Sequence, residues 1–503
     1  MRRPGTGRGV GSLLSDFGHT LPAAPTQAEP PPVTRLFHTA SWRGRPVRGA
    51  GWTPASVPVS RWRMTSDQAP VLWPLVTGPG LPPTGAQMGI DYFSGGSFYA
   101  DPHGWVLDET IPVTNPNIIT FGKPGGGKSS TTKAFCLRMG DFGYRTLILG
   151  DPKDEYEPLC RALGVEPFVI GHGLGTRINP LAFGPLGEGW DHLEAAEAKR
   201  RAALVFGRWL TLVRGLVGSQ KIGELHVPFG PSDEVVVIAA LRILTGHHQG
   251  NTRLRETTIP AVWHLLNNPT DDLISTCRYE TERQFLDHTR LLRDALGQLV
   301  SGALAGLFDD HTTIDVDWNA PIQSLSLSRL EPLGDEAIGI ALTCLNSWGR
   351  GMREMSAAGD RRIIVRDEAW KQMRLGPEPV KSLDADLRLS RSTGDIQFVV
   401  AHKPSDLLSV GEQTSQAVAI ARDLLHLADI KILHGQDAGV GHELERLLEL
   451  GPIGQDLVTG WARQEKGRAL WLVGGQLHKV KTVLTPWEAQ LTYTNAAIEG
   501  TRP

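Results

Sequence analysis

The stretch NIITFGKPGGGKSSTTK, residues 117–133, joins a short apolar run to a glycine-rich turn and then to a segment with helix-forming character. The turn matches the pattern G-x-x-x-x-G-K-[ST] in full, with Gly122, Gly127, Lys128 and Ser129 at the fixed positions. The apolar run predicts a buried strand, and a turn between a strand and a helix is the context that this pattern requires. We therefore predict a phosphate-binding loop here, in preference to a surface turn that is rich in glycine by chance.

Each residue type in the turn has a physical reason to be there. Glycines let backbone N–H groups approach phosphate oxygens and adopt positive φ where needed. The following helix directs its N-terminal N–H groups and positive dipole end at the same anion. Lys128 can reach the terminal phosphates, and the Ser129 hydroxyl can ligate Mg²⁺. The residues predicted to hold the nucleotide are Gly122, Lys123, Pro124, Gly125, Gly126, Gly127, Lys128, Ser129 and Ser130.

Length, charge and cysteine usage limit the class of protein. The chain has 503 residues, 40% of them hydrophobic, so it can bury the core of two or three domains or of one large domain with an insertion. A net charge of -3 gives no global attraction to nucleic acid, so any DNA contact would need a local patch or a pore lining. The four cysteines form no C-x-x-C pair, which argues against a zinc site and favours a reducing cytoplasm. No apolar run is long enough to predict a membrane span.

Residues 1–65 differ from the rest of the chain in composition. They are rich in Pro, Gly and Arg, carry few acids and lack sustained periodicity. Such a segment cannot bury enough apolar surface to order itself, so we predict a disordered tail. Two alternatives stay open, a basic arm for DNA or an anionic membrane face, and an upstream extension if translation begins at Met64. Arg2 and Arg3 are not followed by the apolar core of a signal peptide.

The pattern beyond the tail predicts an α/β fold with a mostly parallel sheet. Alternation between turn residues over 66–115 predicts a small β-rich N-terminal cap. Strand, helix and strand succeed one another in 116–190, as in βαβ units, and apolar stripes over 191–310 predict an all-helical insertion. The α/β pattern resumes over 311–503 and ends in a closing antiparallel pair. Strands are predicted at 118–121, 146–149, 167–171, 323–327, 361–365, 396–401, 430–433, 469–473 and 479–484.

A carboxylate pair follows one of these apolar strands directly. Asp367 can hold Mg²⁺ through water opposite Ser129, and Glu368 is placed to polarise an attacking water. The alternative is a solvated acidic pair at a strand end, which the phosphate loop in the same chain disfavours. Arg366, just before the pair, is unexpected in a buried central strand; it could face a subunit boundary or pair with an acid.

Together these motifs resemble those of a known superfamily. The segments GKPGGGKSS, LILGDPKDEYEPLCRALG, RINPL and IIVRDEAW are similar to those of the HerA/FtsK superfamily of P-loop NTPases, above all the conjugative type IV secretion ATPases (the VirB/TraC-type traffic ATPases). ADIKILHGQ and GRALWLVGG continue the resemblance, which covers roughly residues 74–486. It implies a RecA-like core with a helical insertion, hydrolysis of ATP with Mg²⁺, and homo-hexamers. It also implies a cytoplasmic protein that associates with secretion or conjugation channel proteins at the inner face of the cell membrane.

The resemblance also implies roles for individual residues. Lys128, Ser129, Asp367 and Glu368 keep the roles given above. Ring ATPases of this kind supply an arginine across a subunit boundary to stabilise charge on the transferring phosphate. The matching stretch is LRLSRSTGD, in which the candidates are Arg391 first and Arg388 second, with helix-surface arginines as the alternative.

This chain departs from the family pattern in three places. The glutamine that serves the family as a γ-phosphate sensor is replaced by His402, which can still hydrogen-bond phosphate or water and which we count among the catalytic candidates. A basic residue expected just before Gln436 is Gly435, with His434 alongside. The long N-terminal domain of the family is absent or much shortened, so docking to membrane and channel is expected to differ.

The leading hypothesis is an Mg-ATP-hydrolysing motor of a conjugative transfer or type IV secretion apparatus, powering substrate transfer or channel assembly. A DNA-pumping translocase or coupling protein of the same superfamily is the alternative, and contact with DNA without sequence specificity stays open. A hypothesis of another class is a nucleotide-bound scaffold with little turnover, which His402 keeps open. A small-molecule P-loop kinase is least supported, because nothing in the sequence indicates a lid over an acceptor substrate.

Overall fold

The computed structural model describes residues 80–493, with gaps at 188, 223–224, 248–252, 303, 314–316, 318, 355–358, 374–376 and 409–415. All described residues belong to one compact unit, Pro79–Pro503. The predicted disordered tail over 1–65 and the first part of the predicted cap lie outside the described residues.

An eleven-stranded sheet is the frame of this unit. Its strands are β1 (Ala86–Asp91), β2 (Ser97–Ala100), β3 (Ile118–Phe121), β4 (Tyr144–Asp151), β5 (Phe168–Val169), β8 (Ile322–Ser326), β9 (Arg361–Arg366), β10 (Asp395–Ala401), β11 (Ile430–His434), β12 (Arg468–Val473) and β13 (Gln476–Thr482), and a separate pair is formed by β6 (Lys221–Ile222) and β7 (Leu225–His226). The order across the sheet is β2-β1-β13-β12-β11-β3-β10-β9-β4-β8-β5. All neighbours from β11 to β5 are parallel, and those from β2 to β11 are antiparallel. The predicted α/β fold with a mostly parallel sheet is confirmed.

Helices cover the sheet and build the insertion. They are α1 (Pro102–Leu107), α2 (Lys128–Gly140), α3 (Glu157–Ala162), α4 (Ala195–Gly218), α5 (Pro231–Thr245), α6 (Ile259–Asn267), α7 (Asp271–Thr276), α8 (Glu282–His288), α9 (Arg290–Ser301), α10 (Asp335–Glu354), α11 (Ala369–Met373), α12 (Pro377–Thr393), α13 (Pro404–Leu407), α14 (Gln416–His426), α15 (Gly441–Leu448), α16 (Pro452–Thr459) and α17 (Pro486–Leu491). Among the described residues, none of these helices is long and apolar enough to cross a membrane.

The central strands β3 and β10 are buried along their whole length because both faces of the sheet are covered. Every residue of β3 is buried. Ile118 belongs to the same core cluster as Phe135 of α2, whereas Ile119 and Phe121 belong to the cluster that includes Leu424 of α14. Alternation of side chains across the sheet thus places α2 and α14 on opposite faces, and β3 lies in the middle of the α/β layers.

The insertion is helical, with one difference from the prediction. Helices α4 to α9 bury the apolar stripes that the sequence predicts, including Trp209 and Leu216 of α4 and Leu292 and Leu296 of α9. The same stretch also contains the antiparallel pair β6–β7, so it is not all-helical. Strands of two residues are too short to leave a periodic pattern in the sequence.

The stretch predicted as a β-rich cap contains two strands and a helix. Strand β1 pairs with β13 and thereby extends the main sheet. Helix α1 follows Asp101, whose carboxylate accepts a hydrogen bond from the N–H of Gly104 (3.0 Å), and Pro102 is its first residue. This helix was missed, although an aspartate followed by proline is a helix-start signal. The closing antiparallel pair is β12 with β13, as predicted.

Candidate active site

The glycine-rich turn lies at the carboxyl end of β3, between its two parallel neighbours. The Gly122 N–H donates to the carbonyl of His402 (3.0 Å), just beyond β10. The Lys123 N–H donates to the carbonyl of Gly435 (3.2 Å), just beyond β11. The turn is therefore fixed to the ends of both neighbouring strands, at the sheet edge where ligands of open α/β folds bind.

Steric constraints explain the glycines at both ends of the turn. Gly125 and Gly127 have φ of 75° and 104°, in the left-handed region that favours glycine. A Cβ atom on Gly122 would lie 2.5 Å from Cβ of His434, and one on Gly127 would lie 2.7 Å from the backbone nitrogen of Gly467. The fixed glycines of the pattern thus allow close packing on β11 and on the residue before β12.

Lys128 is buried at the start of α2 and turns back over the loop. Its Nζ donates to the carbonyl of Gly122 (2.6 Å) and lies 3.4 Å from Nδ1 of His402. Burial lowers the pKa of Lys128, and the negative charges of Asp367 and Glu368 oppose this shift. The lysine of the loop is therefore close enough to the carboxylate pair to interact with it electrostatically, although 239 positions separate Lys128 from Asp367 in the sequence.

The carboxylate pair begins at the end of β9, next to β10. The backbone of Glu368 has a φ of 51°, which is unusual for a residue other than glycine, and its N–H donates to Oδ1 of Asp367 (2.9 Å). Burial, together with the neighbouring acids Glu368, Glu155 and Asp151, raises the pKa of Asp367 to about 7. A cation next to Asp367 would relieve this crowding of negative charge.

Glu368 is buried and held by three neighbours. Its Oε1 accepts a hydrogen bond from Nζ of Lys153 (2.7 Å) and lies 3.5 Å from Nε2 of His402, and its Oε2 accepts from Nε1 of Trp370. Burial alone would raise the pKa of Glu368, but the contacts with His402 and Lys153 hold it well below its usual range. The carboxylate is therefore ionised at physiological pH and oriented by its partners.

His402 lies between the loop lysine and the second carboxylate. One ring nitrogen faces Lys128 and the other faces Glu368, at the distances given above. Its backbone carbonyl accepts from the Gly122 N–H and also from Nε2 of Gln436 (2.6 Å). The position predicted to replace the family's glutamine is thus at the centre of the cluster, and its backbone is fixed from two sides.

The other departure, at Gly435, is explained by close packing. A Cβ atom on Gly435 would lie 2.9 Å from Cα of Arg463, which itself forms an ion pair with Asp437 (3.1 Å). His434 is fully buried against the loop, and burial together with Lys128 lowers its pKa to about 3. It is therefore a neutral packing residue at physiological pH.

Lys128, Asp367, Glu368 and His402 line one cavity of about 330 Å³, within the range of small-ligand sites. The side that we call the loop wall consists of Pro124, Gly125, Gly127, Lys128, Ser129, Ser130, Thr131, Lys153, Glu155, Asp367, Glu368, Val400, Ala401 and His402. The opposite side, the C-terminal wall, consists of Lys466, Gly467, Thr482, Leu484, Ala489, Thr492 and Tyr493.

Sequence reasoning missed part of each wall. Lys153 and Glu155 follow β4 directly, and a charged run after a buried strand could have indicated that they reach the same sheet edge. The C-terminal wall left no comparable signal. Its α17 part is tied to α2 by a double ion pair between Arg138 and Glu488, with Nε–Oε1 and Nη2–Oε2 distances of 2.7 Å.

The two candidate trans arginines do not reach this cavity. Both are exposed on α12. Arg391 lies with Nη1 3.5 Å from the carbonyl of Thr114, which precedes β3 and thus lies near the opposite sheet edge. Arg388 forms an ion pair with Asp384 (2.9 Å) on the same helix. Within one chain, the cavity therefore contains neither of them.

The oxygen donors in the cavity fit Mg²⁺ held partly by phosphate. Ser129 and Asp367 both line the loop wall. Within the described residues, no group of three or more His, Cys, Asp or Glu side chains could hold a metal ion by itself. Mg²⁺ commonly takes only one or two protein oxygens and completes its shell with substrate phosphates and water, so two donors suffice.

Comparison with known proteins finds solved structures of similar fold. No protein-family model and no curated protein matches the chain. Similar solved structures include VirB4 of Thermoanaerobacter pseudethanolicus, with a TM-score of 0.63 and 20% identity, where the match covers 82% of this chain and 100% of that chain. The plasmid coupling protein TrwB in complex with ADP and Mg²⁺ has a TM-score of 0.53 and 14% identity, covering 80% and 90%. The unbound form of the bacterial conjugative coupling protein TrwB has a TM-score of 0.52 and 12% identity, covering 80% and 89%. The chain therefore shares the fold of VirB4 and TrwB, and this is the RecA-like P-loop fold that the sequence resemblance implies.

Proposed function

We propose that the chain is an Mg²⁺-dependent ATPase, the motor of a conjugative transfer or type IV secretion apparatus. The observation that carries the proposal is the convergence of Lys128, Asp367 and Glu368 on one cavity beside the glycine-rich loop. The fold shared with VirB4 and with TrwB, the latter in complex with ADP and Mg²⁺, supports it.

The residues divide the work of hydrolysis between them. Backbone N–H groups of 124–128 and the N-terminus of α2 hold the phosphates, and Lys128 neutralises charge on the terminal ones. Ser129 and Asp367 would hold Mg²⁺, which would supply positive charge against the negative charge that develops on the phosphates. Glu368 orients and polarises the attacking water, for which its ionised carboxylate is suited.

His402 takes the place of a γ-phosphate sensor in this proposal. Its two ring nitrogens lie 3.4 Å from Nζ of Lys128 and 3.5 Å from Oε1 of Glu368. A side chain in this position contacts both the phosphate-binding lysine and the group that activates water. It can therefore register whether the terminal phosphate is present and pass this to Glu368 by a change of hydrogen bond.

The remaining functional residues are proposed to come from a neighbouring subunit. Arg391, and after it Arg388, are exposed on α12 and free of the cavity of their own chain. A closed ring, a homo-hexamer as the resemblance implies, would bring one of them to the next subunit's phosphates. Channel proteins of the secretion apparatus are the proposed partners, at the inner face of the cell membrane.

The test is the ATPase rate of the full chain measured against protein concentration, with and without DNA. For a secretion-type ring, we expect the ATPase rate per protein molecule to rise with protein concentration and to stay unchanged when DNA is added. Stimulation by DNA would favour the second candidate, a DNA-pumping translocase or coupling protein. The fold shared with the coupling protein TrwB supports this candidate. Absence of ATP hydrolysis at every protein concentration, with nucleotide still bound, would contradict a motor function and would favour the nucleotide-bound scaffold with little turnover.

A further inference from the structure

A buried network behind the carboxylate pair has no part in the chemistry described so far. Arg366, the last residue of β9, is 5% exposed and immediately precedes Asp367. Its guanidinium donates from all three nitrogens to three different elements. Nε donates to Oε1 of Gln397 on β10 (3.1 Å), Nη1 to Oδ1 of Asn346 on α10, and Nη2 to Oδ2 of Asp386 on α12 (2.7 Å).

Asp386 is shared between two arginines. It is 1% exposed, and its Oδ1 accepts from Nε of Arg350 (3.0 Å) while its Oδ2 accepts from Arg366. Arg350 also donates to the carbonyl and the hydroxyl of Ser382, at 2.8 and 2.6 Å, one turn earlier on α12. A buried ion pair adds little net stability over apolar residues of the same volume, but its directed, charge-assisted hydrogen bonds fix relative position. The network therefore fixes the relative positions of the elements that it joins more than it stabilises the fold.

The opposite face of α12 carries the two candidate trans arginines. At 100° per residue, Arg388 and Arg391 lie about 200° and 140° around the helix from Asp386. Both are exposed, whereas Asp386 faces the sheet. One short helix is thus bound on its inner side to the strand that ends in Asp367 and presents arginines on its outer side.

We infer that Arg366 and Asp386 are positioning residues that link the nucleotide site of one subunit to the arginine it offers to the next. The inference rests on the proposed function, since it needs a nucleotide in the cavity and a neighbour beside α12. A shift of the β9 end when Asp367 and Glu368 engage Mg-nucleotide is passed through the guanidinium to Asp386. Because α12 is held at this point by both Arg366 and Arg350, it moves with the strand.

The experiment is hydrogen exchange of the full chain, measured by mass spectrometry with and without Mg·ADP. In the unchanged chain we expect Mg·ADP to slow exchange in 122–130 and also to change exchange in 383–393. In the double variant Arg366→Met, Asp386→Asn we expect protection of the loop to persist and the response of α12 to fall at least threefold. Asn keeps an acceptor for Arg350 and the volume of Asp386, which favours folding of this variant.

The matched control is the double variant Arg290→Met, Asp294→Asn, which makes the same two changes in an exposed ion pair of α9 (3.7 Å). Its α12 response should equal that of the unchanged chain. If the Arg366→Met, Asp386→Asn variant loses its cooperative thermal transition, Arg366→Lys replaces it. Lysine keeps the charge but cannot direct three N–H groups at three partners, so the same loss of response is expected.

The outcomes separate the two proposals. A full α12 response in the altered chain, or loop protection in the unchanged chain with no α12 response, overturns the link and leaves the nucleotide site standing. No loop protection in the unchanged chain overturns nucleotide binding, and the link falls with it. Loss of the α12 response in the control as well shows a nonspecific effect and also overturns the link.

Discussion

The two walls of the cavity differ in how they are built. In the loop wall, charged side chains gather at the ends of adjacent parallel strands, and His402 lies within 3.5 Å of both Lys128 and Glu368. The C-terminal wall comes from the loop before β12, from the end of β13 and from α17 with the residues that flank it, and Lys466 is its one Lys, Arg, Asp or Glu residue. It is held from behind by Arg138 and Glu488.

This difference indicates that the loop wall carries the reacting groups and that the C-terminal wall encloses the ligand. The loop wall gathers the groups whose charges respond to one another, as the shifted pKa values of Asp367 and Glu368 show. Such perturbed groups in one cavity are typical of reacting centres. The C-terminal wall offers surface to the parts of a ligand that do not react. Substitution of a reacting group in the loop wall should therefore change turnover, with or without a change in binding, whereas substitutions in the C-terminal wall should change binding alone.

The largest effect is expected for Glu368→Gln. The amide keeps the volume and a hydrogen-bond acceptor but cannot take up a proton, so kcat should fall by roughly 10²–10³-fold while binding of a fluorescent ATP analogue persists. Phosphate release and analogue titration measure the two quantities. Lys128→Ala should lose both binding and turnover. The matched variant on the C-terminal wall is Lys466→Ala, and a loss of kcat as large as that of Glu368→Gln would contradict the division between the walls.

The next effect is expected for Gly127→Ala, where the two walls touch. The φ of 104° and the backbone of Gly467, 2.7 Å from the added Cβ, both oppose a side chain. We expect nucleotide affinity to fall at least tenfold and the free energy of unfolding to fall by about 1–3 kcal/mol. Gly207→Ala in α4, where a Cβ would meet nothing within 4 Å, is the control and should stabilise the chain slightly. Equal behaviour of the two variants in thermal unfolding and titration would show that the loop tolerates a Cβ.

The sequence was sufficient to predict the loop wall but not the C-terminal wall, for a physical reason. Phosphate binding by the loop depends on residue types at fixed spacing. A carboxylate that follows a buried strand must lie at the carboxyl edge of a parallel sheet. Lys128 and Asp367 could therefore be placed together from the sequence. Contacts such as that of Arg138 with Glu488 join residues 350 positions apart whose spacing carries no pattern. Hairpin β6–β7 and helix α1 were missed because such short elements leave little periodic signal. Arg366 was unexpected in a buried strand, and pairing with an acid was one of two alternatives; the packing of α10, α12 and β10 shows that it pairs with Asp386 and contacts two further partners.

A third effect concerns the dependence of Mg²⁺ affinity on pH. The pKa of Asp367 is about 7, above the usual 3.8, so a proton competes with the metal below pH 7. Mg²⁺-dependent binding of ADP should weaken by up to about tenfold per pH unit below 7 and level off above it. By the same shift, the folded chain binds this proton more tightly than the unfolded chain. The contribution of Asp367 to the free energy of unfolding therefore falls as pH rises from about 4 to about 7.

Substitution of the neighbouring acid Glu155 tests the cause of this pH dependence. Its negative charge raises the pKa of Asp367, so Glu155→Gln should move the midpoint of the Mg²⁺ titration to lower pH without abolishing binding. Asp108→Asn, which alters an exposed acid outside the cavity, should leave the midpoint in place. An unchanged midpoint in Glu155→Gln would mean that the crowding of acids does not set the affinity.

The smallest effect is expected at the anchor of the C-terminal wall. Arg138→Met removes both ion-pair contacts with Glu488, and α17 is a helix of only six residues that depends on this anchor and on its cap at Thr485. If the C-terminal wall only encloses the ligand, KM for ATP should rise a few-fold while kcat stays unchanged, the signature of lost uniform binding. Steady-state kinetics at several ATP concentrations measure this, with Arg161→Met as the control because its ion pair with Glu157 (3.1 Å) lies outside the cavity. A fall in kcat at constant KM would instead place the C-terminal wall in the reacting centre, and the division between chemistry and enclosure would have to be abandoned.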